Sequence, residues 1–212
     1  MLFHYHIWTP HLEETEAWYT ARGFHVSQRI GKKDGEFSSF NPPLSWNDFR
    51  ADQILFRIIE MKRGAVNVTI GFGKTVRLDH IGFLIQPGDV QTILDRAETL
   101  AFKVQANERR TFLQTPYGLR IELQVHEDAI ADTDGTTLER LILTTPCEGL
   151  EADLTKLFDR PISQIQTVRG EKTVLQEAVF FRRIARRYGS ERCSARLLII
   201  NEYFNWEIWC FH

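Results

Sequence analysis

The sequence predicts an α+β protein built from paired βαβββ modules, which form a curved mixed sheet with a half-barrel cleft. A third, degenerate C-terminal module follows the pair. Three observations favour this fold class. A strand–helix–strand pattern opens the chain, the same pattern returns further along it, and a weaker third occurrence begins after an acidic linker. Such an internal repeat indicates one supersecondary unit that is used more than once.

The first unit starts with a strand at residues 2–8, where apolar and polar side chains alternate. Residues 11–22 then predict a helix whose apolar face carries Leu12, Trp18 and Tyr19. Gly23 ends that helix, because a glycine commonly follows the last helical turn. A strand at 24–30 and two later strands at 54–61 and 65–72 complete the unit.

The second and third units repeat this order of elements. The second has a strand at 77–86, a helix at 90–100, another strand after Ala101-Phe102, and strands at 110–114 and 119–125. The third has a strand at 138–144, a helix at 150–158 and strands at 162–168, 174–181 and 195–200. We therefore predict a first module at 1–74, a second at 75–127, a linker at 128–136 and the C-terminal module at 137–212.

A loop at residues 31–50 is the main difference between the first two units. It contains glycine, proline and serine together with the aromatic residues Phe37, Phe40, Trp46 and Phe49. Aromatic side chains in such a loop form a lid or pocket wall, or they pack down and fix the loop. The sequence leaves both alternatives open.

Composition excludes several classes of protein. The formal net charge is -2, so the chain has no global basic surface and we expect no nucleic-acid partner. No apolar stretch approaches the roughly 20 residues of a membrane span, so we also expect no membrane partner. Three widely spaced cysteines do not form a disulfide or zinc-finger pattern, which favours a reducing, cytoplasmic location.

Four residues are singled out by the repeat as a candidate metal site. His4 and His80 lie on equivalent first strands, and Glu60 and Glu122 lie on equivalent late strands. Two imidazoles and two carboxylates suit a divalent ion such as Zn, Ni, Mn, Fe or Co, with two positions left for water or substrate. The alternative is that the histidines are hydrogen-bonded structural residues and the glutamates face solvent. His6, two residues after His4, is a further candidate as a supporting partner or ligand.

Three segments resemble the vicinal oxygen chelate superfamily, the group of glyoxalase I, bleomycin resistance proteins and extradiol dioxygenases. They are FHYHIWTPHLEETEAWYTARGF, DHIGFLI around His80, and TPYGLRIELQ, which contains Glu122. The chain departs from the pattern in two places. His11 stands where the family has an acidic residue, and the sequence before Glu60 lacks the family's Pro-x-Gly turn.

The resemblance implies a metal held by His4, Glu60, His80 and Glu122, with Glu122 or Glu60 moving a proton. The implied activity is a glyoxalase-type lyase or isomerase acting on a small substrate with vicinal oxygens, and the alternative is a non-catalytic drug- or metabolite-binding protein. A homodimer is left open. Ring-cleaving dioxygenases of the superfamily use two histidines and one glutamate, which we expect within one module. Because no second histidine lies between His80 and Glu122, the sequence argues against that activity.

Overall fold

A computed structural model describes residues 1–106, 110–131, 134–183 and 194–200. The first unit contains five strands and two helices, since the loop at 31–50 forms a short strand and a short helix of its own. These elements are β1 (Leu2–Thr9), α1 (Leu12–Thr20), β2 (His25–Lys33), β3 (Glu36–Ser39), α2 (Trp46–Phe49), β4 (Leu55–Arg63) and β5 (Val66–Phe72).

The second and third units follow the predicted order of strand, helix and three strands. The second comprises β6 (Arg77–Leu84), α3 (Val90–Thr99), β7 (Lys103–Ala106), β8 (Thr111–Gln114) and β9 (Arg120–Gln124). The third comprises β10 (Thr136–Thr145), α4 (Leu150–Phe158), β11 (Ile165–Arg169), β12 (Val174–Arg183) and β13 (Ser194–Ile200). The predicted range of the C-terminal module also includes 184–193 and 201–212, which lie outside the described residues.

The first two units share one nine-stranded mixed sheet, in the order β3-β2-β4-β5-β1-β6-β9-β8-β7. In each unit the first strand pairs in parallel with the last, β1 with β5 and β6 with β9. The two first strands meet antiparallel at the centre of the sheet. This arrangement confirms the predicted paired modules, and it places equivalent strands of the two units side by side.

Alternation along the central strands separates two faces of this sheet. Tyr5, Val68, Ile81 and Ile121 are almost completely buried and belong to the hydrophobic core. The opposite face, which we call the cleft face, carries histidines and carboxylates, including His4. The buried polar residues of the first two modules are therefore concentrated where the two modules join.

The loop at 31–50 is fixed by its aromatic side chains rather than forming an apolar lid. Phe49 is 6% exposed and lies 5.3 Å, ring centroid to ring centroid, from Phe56 of β4. Trp46 packs on the same Phe56 ring. Phe37, in contrast, is 65% exposed on β3. The four aromatic residues thus do not line one pocket, because the loop packs on the end of β4.

A buried ion pair also holds this loop. The Arg29 guanidinium of β2 donates to both carboxylate oxygens of Glu16 in α1, at 3.0 and 2.6 Å. Its remaining nitrogen donates to the Leu44 carbonyl oxygen at 2.8 Å. Both charged side chains are less than a tenth exposed. Helix, strand and loop are therefore joined by one cation.

The C-terminal unit forms a separate four-stranded sheet in the order β11-β10-β12-β13. Its first strand, β10, pairs in parallel with β11, the strand that follows the helix, whereas β1 and β6 pair in parallel with the last strands of their units. The repeat is thus retained in element order and altered in strand order. Phe180 of β12 packs against Tyr5 and Phe24, which places this small sheet on the core side of the large one. Among the described residues, none of the helices has the length and apolar character needed to cross a membrane.

Candidate metal centre

The two first strands bring His4 and His80 together. His6 lies opposite His80 and His4 lies opposite Gly82 in the antiparallel ladder. The Nε2 atoms of His4 and His80 are 3.1 Å apart, and both residues are buried. Gly82 makes room for this approach, because a Cβ there would lie 2.9 Å from the Cβ of His4.

Glu122 of β9 completes a group of three. Its strand pairs in parallel with β6, and Glu122 lies opposite Gly82. The Glu122 Oε2 atom is 2.9 Å from His80 Nε2 and 3.8 Å from His4 Nε2, and Glu122 is 3% exposed. Metal–ligand bonds of about 2.1 Å at right angles separate neighbouring ligand atoms by about 3.0 Å. The spacing of the three atoms therefore fits a divalent ion.

The hydrogen bonds of the other ring nitrogens leave both Nε2 lone pairs facing Glu122. His4 Nδ1 lies 3.0 Å from the backbone oxygen of Asn67 and 3.0 Å from its side-chain oxygen. His80 Nδ1 lies 2.7 Å from Asp79 Oδ2. Oxygen acceptors at both Nδ1 atoms favour the tautomers with a proton there. Three electron-rich atoms then converge, and either a metal ion or a shared proton is required to hold them together.

The pKa values of His4 and Glu122 are both shifted by burial and by neighbouring groups. Burial, followed by the neighbouring His80, lowers the pKa of His4 to about 4, so His4 is neutral at physiological pH. Burial would raise the pKa of Glu122. The interactions of Glu122 with His80, His4 and Arg110 outweigh burial and lower its pKa to about 2. A neutral imidazole and an ionised carboxylate are the forms that bind metals.

Asp79 faces the cleft because β6 is irregular at this point. The pairing passes from His6 opposite His80 directly to Ile7 opposite Leu78, which leaves Asp79 as an extra residue in a β-bulge. Asp79 accepts hydrogen bonds from Trp8 Nε1 at 2.8 Å and from Arg120, as well as from His80. These contacts fix the ring of His80, as carboxylates commonly do behind a metal-binding histidine.

His6 lies against this supporting group. Its ring packs edge-on to the ring of His80, with centroids 5.2 Å apart, and its Nδ1 is 3.8 Å from Asp79 Oδ2. His6, Asp79 and His80 form a second set of close potential ligands, which uses the opposite nitrogen of His80. His6 thus lies beside Asp79 and His80, not in the group of His4 and Glu122.

Glu60 is the one predicted ligand that the structure does not bring into this group. Its Oε1 accepts a hydrogen bond from Ser27 Oγ at 2.6 Å and lies 3.2 Å from Lys62 Nζ. It is still close enough for its charge to raise the pKa of His4 against the larger effect of burial. The structure therefore joins His4, His80 and Glu122, and it places Glu60 at the edge of the group.

Two supporting residues were missed by sequence reasoning. Asp79 directly precedes His80 and so had a visible signal, but regular alternation would direct it to the other face of the strand. Asn67 had no signal in the sequence. Its contact with His4 depends on the parallel register of β1 and β5, which pairs the two residues.

A cavity of about 520 Å³ lies beside the three-residue group. Its wall includes Glu60, Gln124, which is two residues after Glu122 on β9, and Arg110, whose Nε is 3.5 Å from Glu122 Oε1. The segment around Ala129 forms another part of the wall, and Asn67 donates to the Ala129 oxygen at 2.8 Å. Arg110 therefore links the cavity to Glu122, and Asn67 links its wall to His4.

The chain shares its fold with a solved 2,3-dioxygenase, so the predicted resemblance is confirmed at the level of fold. No protein-family model and no curated protein sequence matches the chain.

Among solved structures, the chain is similar to the 2,3-dioxygenase LapB from Pseudomonas sp. KL28, with 14% identity and a TM-score of 0.51, over 82% of this chain and 72% of LapB. It is also similar to homoprotocatechuate 2,3-dioxygenase from B. fuscum, with 14% identity and a TM-score of 0.46, over 74% of this chain and 43% of that protein.

Proposed function

We propose that the protein binds a divalent metal ion through His4, His80 and Glu122 and acts on a small molecule with two adjacent oxygen atoms. The observation that carries the proposal is the convergence of two Nε2 lone pairs and one carboxylate at 2.9 to 3.8 Å, with both Nδ1 atoms held by oxygen acceptors. The superfamily fold supports it, because it places two equivalent strands around one cleft.

The three-residue set favours oxygenase chemistry as the first candidate. Two histidines and one carboxylate with open positions are typical of non-haem Fe(II) oxygenases. The sequence argued against ring cleavage because a second histidine was sought within the second module. In the structure the second histidine comes from β1 of the first module, so a set of two histidines and one glutamate is present across the two modules.

Glu60 supports a second candidate, the lyase or isomerase implied by the sequence. Burial would raise the pKa of Glu60, but hydrogen bonds from Ser27 and Asn67 and the charge of Lys62 outweigh it and lower the pKa. An ionised carboxylate at the edge of the site is suited to accept a proton from a bound substrate. A bound divalent ion would polarise the substrate oxygens and stabilise the resulting negative charge.

Metal analysis of the untagged protein tests the proposal. We expect near-stoichiometric metal in the parent and in a His25→Ala control, since His25 is exposed and distant in the sheet order from β6. We expect its loss in His80→Ala and Glu122→Ala. A parent protein that takes up no Mn, Fe, Co, Ni or Zn from solution would overturn the metal site and favour a shared proton among the three residues.

Glu60→Gln separates the two candidate reactions. If Glu60 is the proton acceptor, the variant keeps its metal but loses isomerisation of 2-oxoaldehyde–thiol adducts. If the protein is an oxygenase, the parent consumes oxygen with a catechol and Glu60→Gln retains its metal.

Loss of metal in Glu60→Gln would instead make Glu60 the fourth ligand. Metal retention with no turnover of either substrate class would favour the non-catalytic binding protein. The cytoplasmic location and the homodimer stay predictions.

A further inference from the structure

The cavity beside the metal group differs in character from an apolar pocket. Every residue that lines it except Ala129 has a polar side chain, and two of the lining residues, Lys62 and Arg110, are basic. A ligand in this space therefore meets hydrogen-bonding and charged groups rather than hydrocarbon.

Lys62 is held inside this wall. Its ammonium group donates to the Asp128 carbonyl oxygen at 2.6 Å and lies 3.2 Å from Glu60 Oε1, and its side chain is 15% exposed. It therefore joins β4 to the short segment Glu127–Ala129, which covers one side of the cavity. A positive charge is thus fixed at the wall by two contacts.

Arg110 places a second positive charge between the cavity and the metal group. Its Nε lies 3.5 Å from Glu122 Oε1, while the side chain is 42% exposed and lines the cavity. Lys62 and Arg110 are matched in number by the acids Glu60 and Asp128 in the same wall. The two positive charges of a divalent ion exceed the single negative charge of Glu122, so the metal-loaded site carries an excess positive charge.

We infer that the substrate is an anion: a small, hydrophilic molecule with a carboxylate near its two adjacent oxygens, rather than a neutral, apolar diol. The inference rests on the proposed function, because the excess charge arises from the bound ion. Arg110 and Lys62 contribute the charges that attract the carboxylate, and the two adjacent oxygens face His4, His80 and Glu122.

A matched pair of probes tests the charge alone. Catechol and 3,4-dihydroxybenzoate share two adjacent oxygens and differ by one carboxylate. We expect calorimetric titration of the Mn²⁺-loaded protein, without oxygen, to show the carboxylate probe binding about tenfold more tightly, as one charge-assisted hydrogen bond would give. Arg110→Gln should remove most of this preference, measured as the ratio of the two probe affinities in the same variant. Lys74→Gln, at an exposed position away from the cavity lining, should leave both affinities unchanged.

The outcomes separate this inference from the proposed function. If Mn²⁺ binds and the two probes have equal affinity, or neither binds, the anionic substrate is wrong while the metal site stands. If Mn²⁺ does not bind, the proposed function fails, and the inference fails with it because the excess positive charge comes from the ion. Metal content of Arg110→Gln must equal that of the parent, since Arg110 contacts Glu122.

Discussion

The amide of Asn67 holds the imidazole of His4 from the neighbouring strand. His4 and Asn67 are register partners in the parallel pair β1 and β5, and the Asn67 side-chain oxygen lies 3.0 Å from His4 Nδ1. The amide nitrogen of the same side chain donates to the Ala129 oxygen at 2.8 Å, which fixes the orientation of the amide. The supporting contact and the cavity wall are therefore set by one side chain.

Replacing Asn67 should weaken metal binding without removing a ligand. In Asn67→Ala the His4 ring loses its side-chain acceptor, and we expect metal affinity to fall about 10- to 100-fold, as for other residues that orient metal-binding histidines. Competition with a coloured chelator measures the change. Asn47→Ala, at an exposed position in α2, is the matched control. Equal affinities for the two variants would contradict the role of Asn67.

Gly82 should be required for the site and not only for the strand. The Cβ of Gly82→Ala would lie 2.9 Å from the Cβ of His4 and 3.1 Å from its ring, so the ring must move. We expect a marked loss of bound metal in a variant that remains folded by circular dichroism. Gly88→Ala is the control, because a Cβ there has no atom within 4 Å. Full metal content in Gly82→Ala would show that the ring does not need its present position.

The ion pair between Glu16 and Arg29 should contribute to stability. Arg29→Met leaves the Glu16 carboxylate buried without its partner, and loss of one member of a buried pair costs about 3 to 5 kcal/mol. Urea denaturation should show a large decrease in the free energy of unfolding.

Arg50→Met is the control. It breaks the ion pair with Glu13, in which Arg50 is 59% and Glu13 39% exposed, and should change the free energy of unfolding little. Similar effects of the two substitutions would contradict the importance of burial.

Glu151 should make the stability of the C-terminal unit depend on pH. Burial would raise the pKa of its carboxyl, but hydrogen bonds from the Thr167 hydroxyl and amide, both 2.7 Å long, outweigh burial and lower the pKa below its ordinary value of 4.5. Because the folded-state pKa is depressed, the contribution is complete above pH 4.5 and declines as the pH falls.

A comparison with Glu151→Gln isolates this contribution. The parent should exceed the variant in free energy of unfolding at pH 7, and the difference should shrink as the pH falls below 4.5. Urea titrations at several pH values measure it, with the exposed Glu36→Gln as the control for loss of one carboxylate. A difference that grows on acidification would show that Glu151 does not act through its ionised form.

Sequence periodicity was sufficient for the elements of the paired modules. The strands around His4 and His80 and the helices after them follow directly from apolar spacing and from breaks at residues such as Gly23. Periodicity could not predict β3 and α2, because the loop that contains them is stabilised by tertiary contacts of Arg29 and Phe49 rather than by a local pattern of apolar residues.

The site shows the same limit. Equivalent strand positions in a repeat identified His4, His80 and Glu122 as neighbours, since the repeat places those strands together. The position of Glu60 followed the same reasoning, yet its side chain is held by Ser27 and Lys62 at the edge of the group. Side-chain contacts of this kind depend on the register of paired strands and on the direction of each side chain, and neither can be read from a single sequence.

Because Asp79 is the extra residue of the bulge in β6, the pairing of β6 with β1 does not depend on it. With Asp79 deleted, Leu78 and His80 would become consecutive, and their present partners Ile7 and His6 are consecutive too. The ladder would close without changing which side either residue faces. The carboxylate behind His80 is therefore carried by the bulge alone, and the register of the flanking pairs does not depend on it.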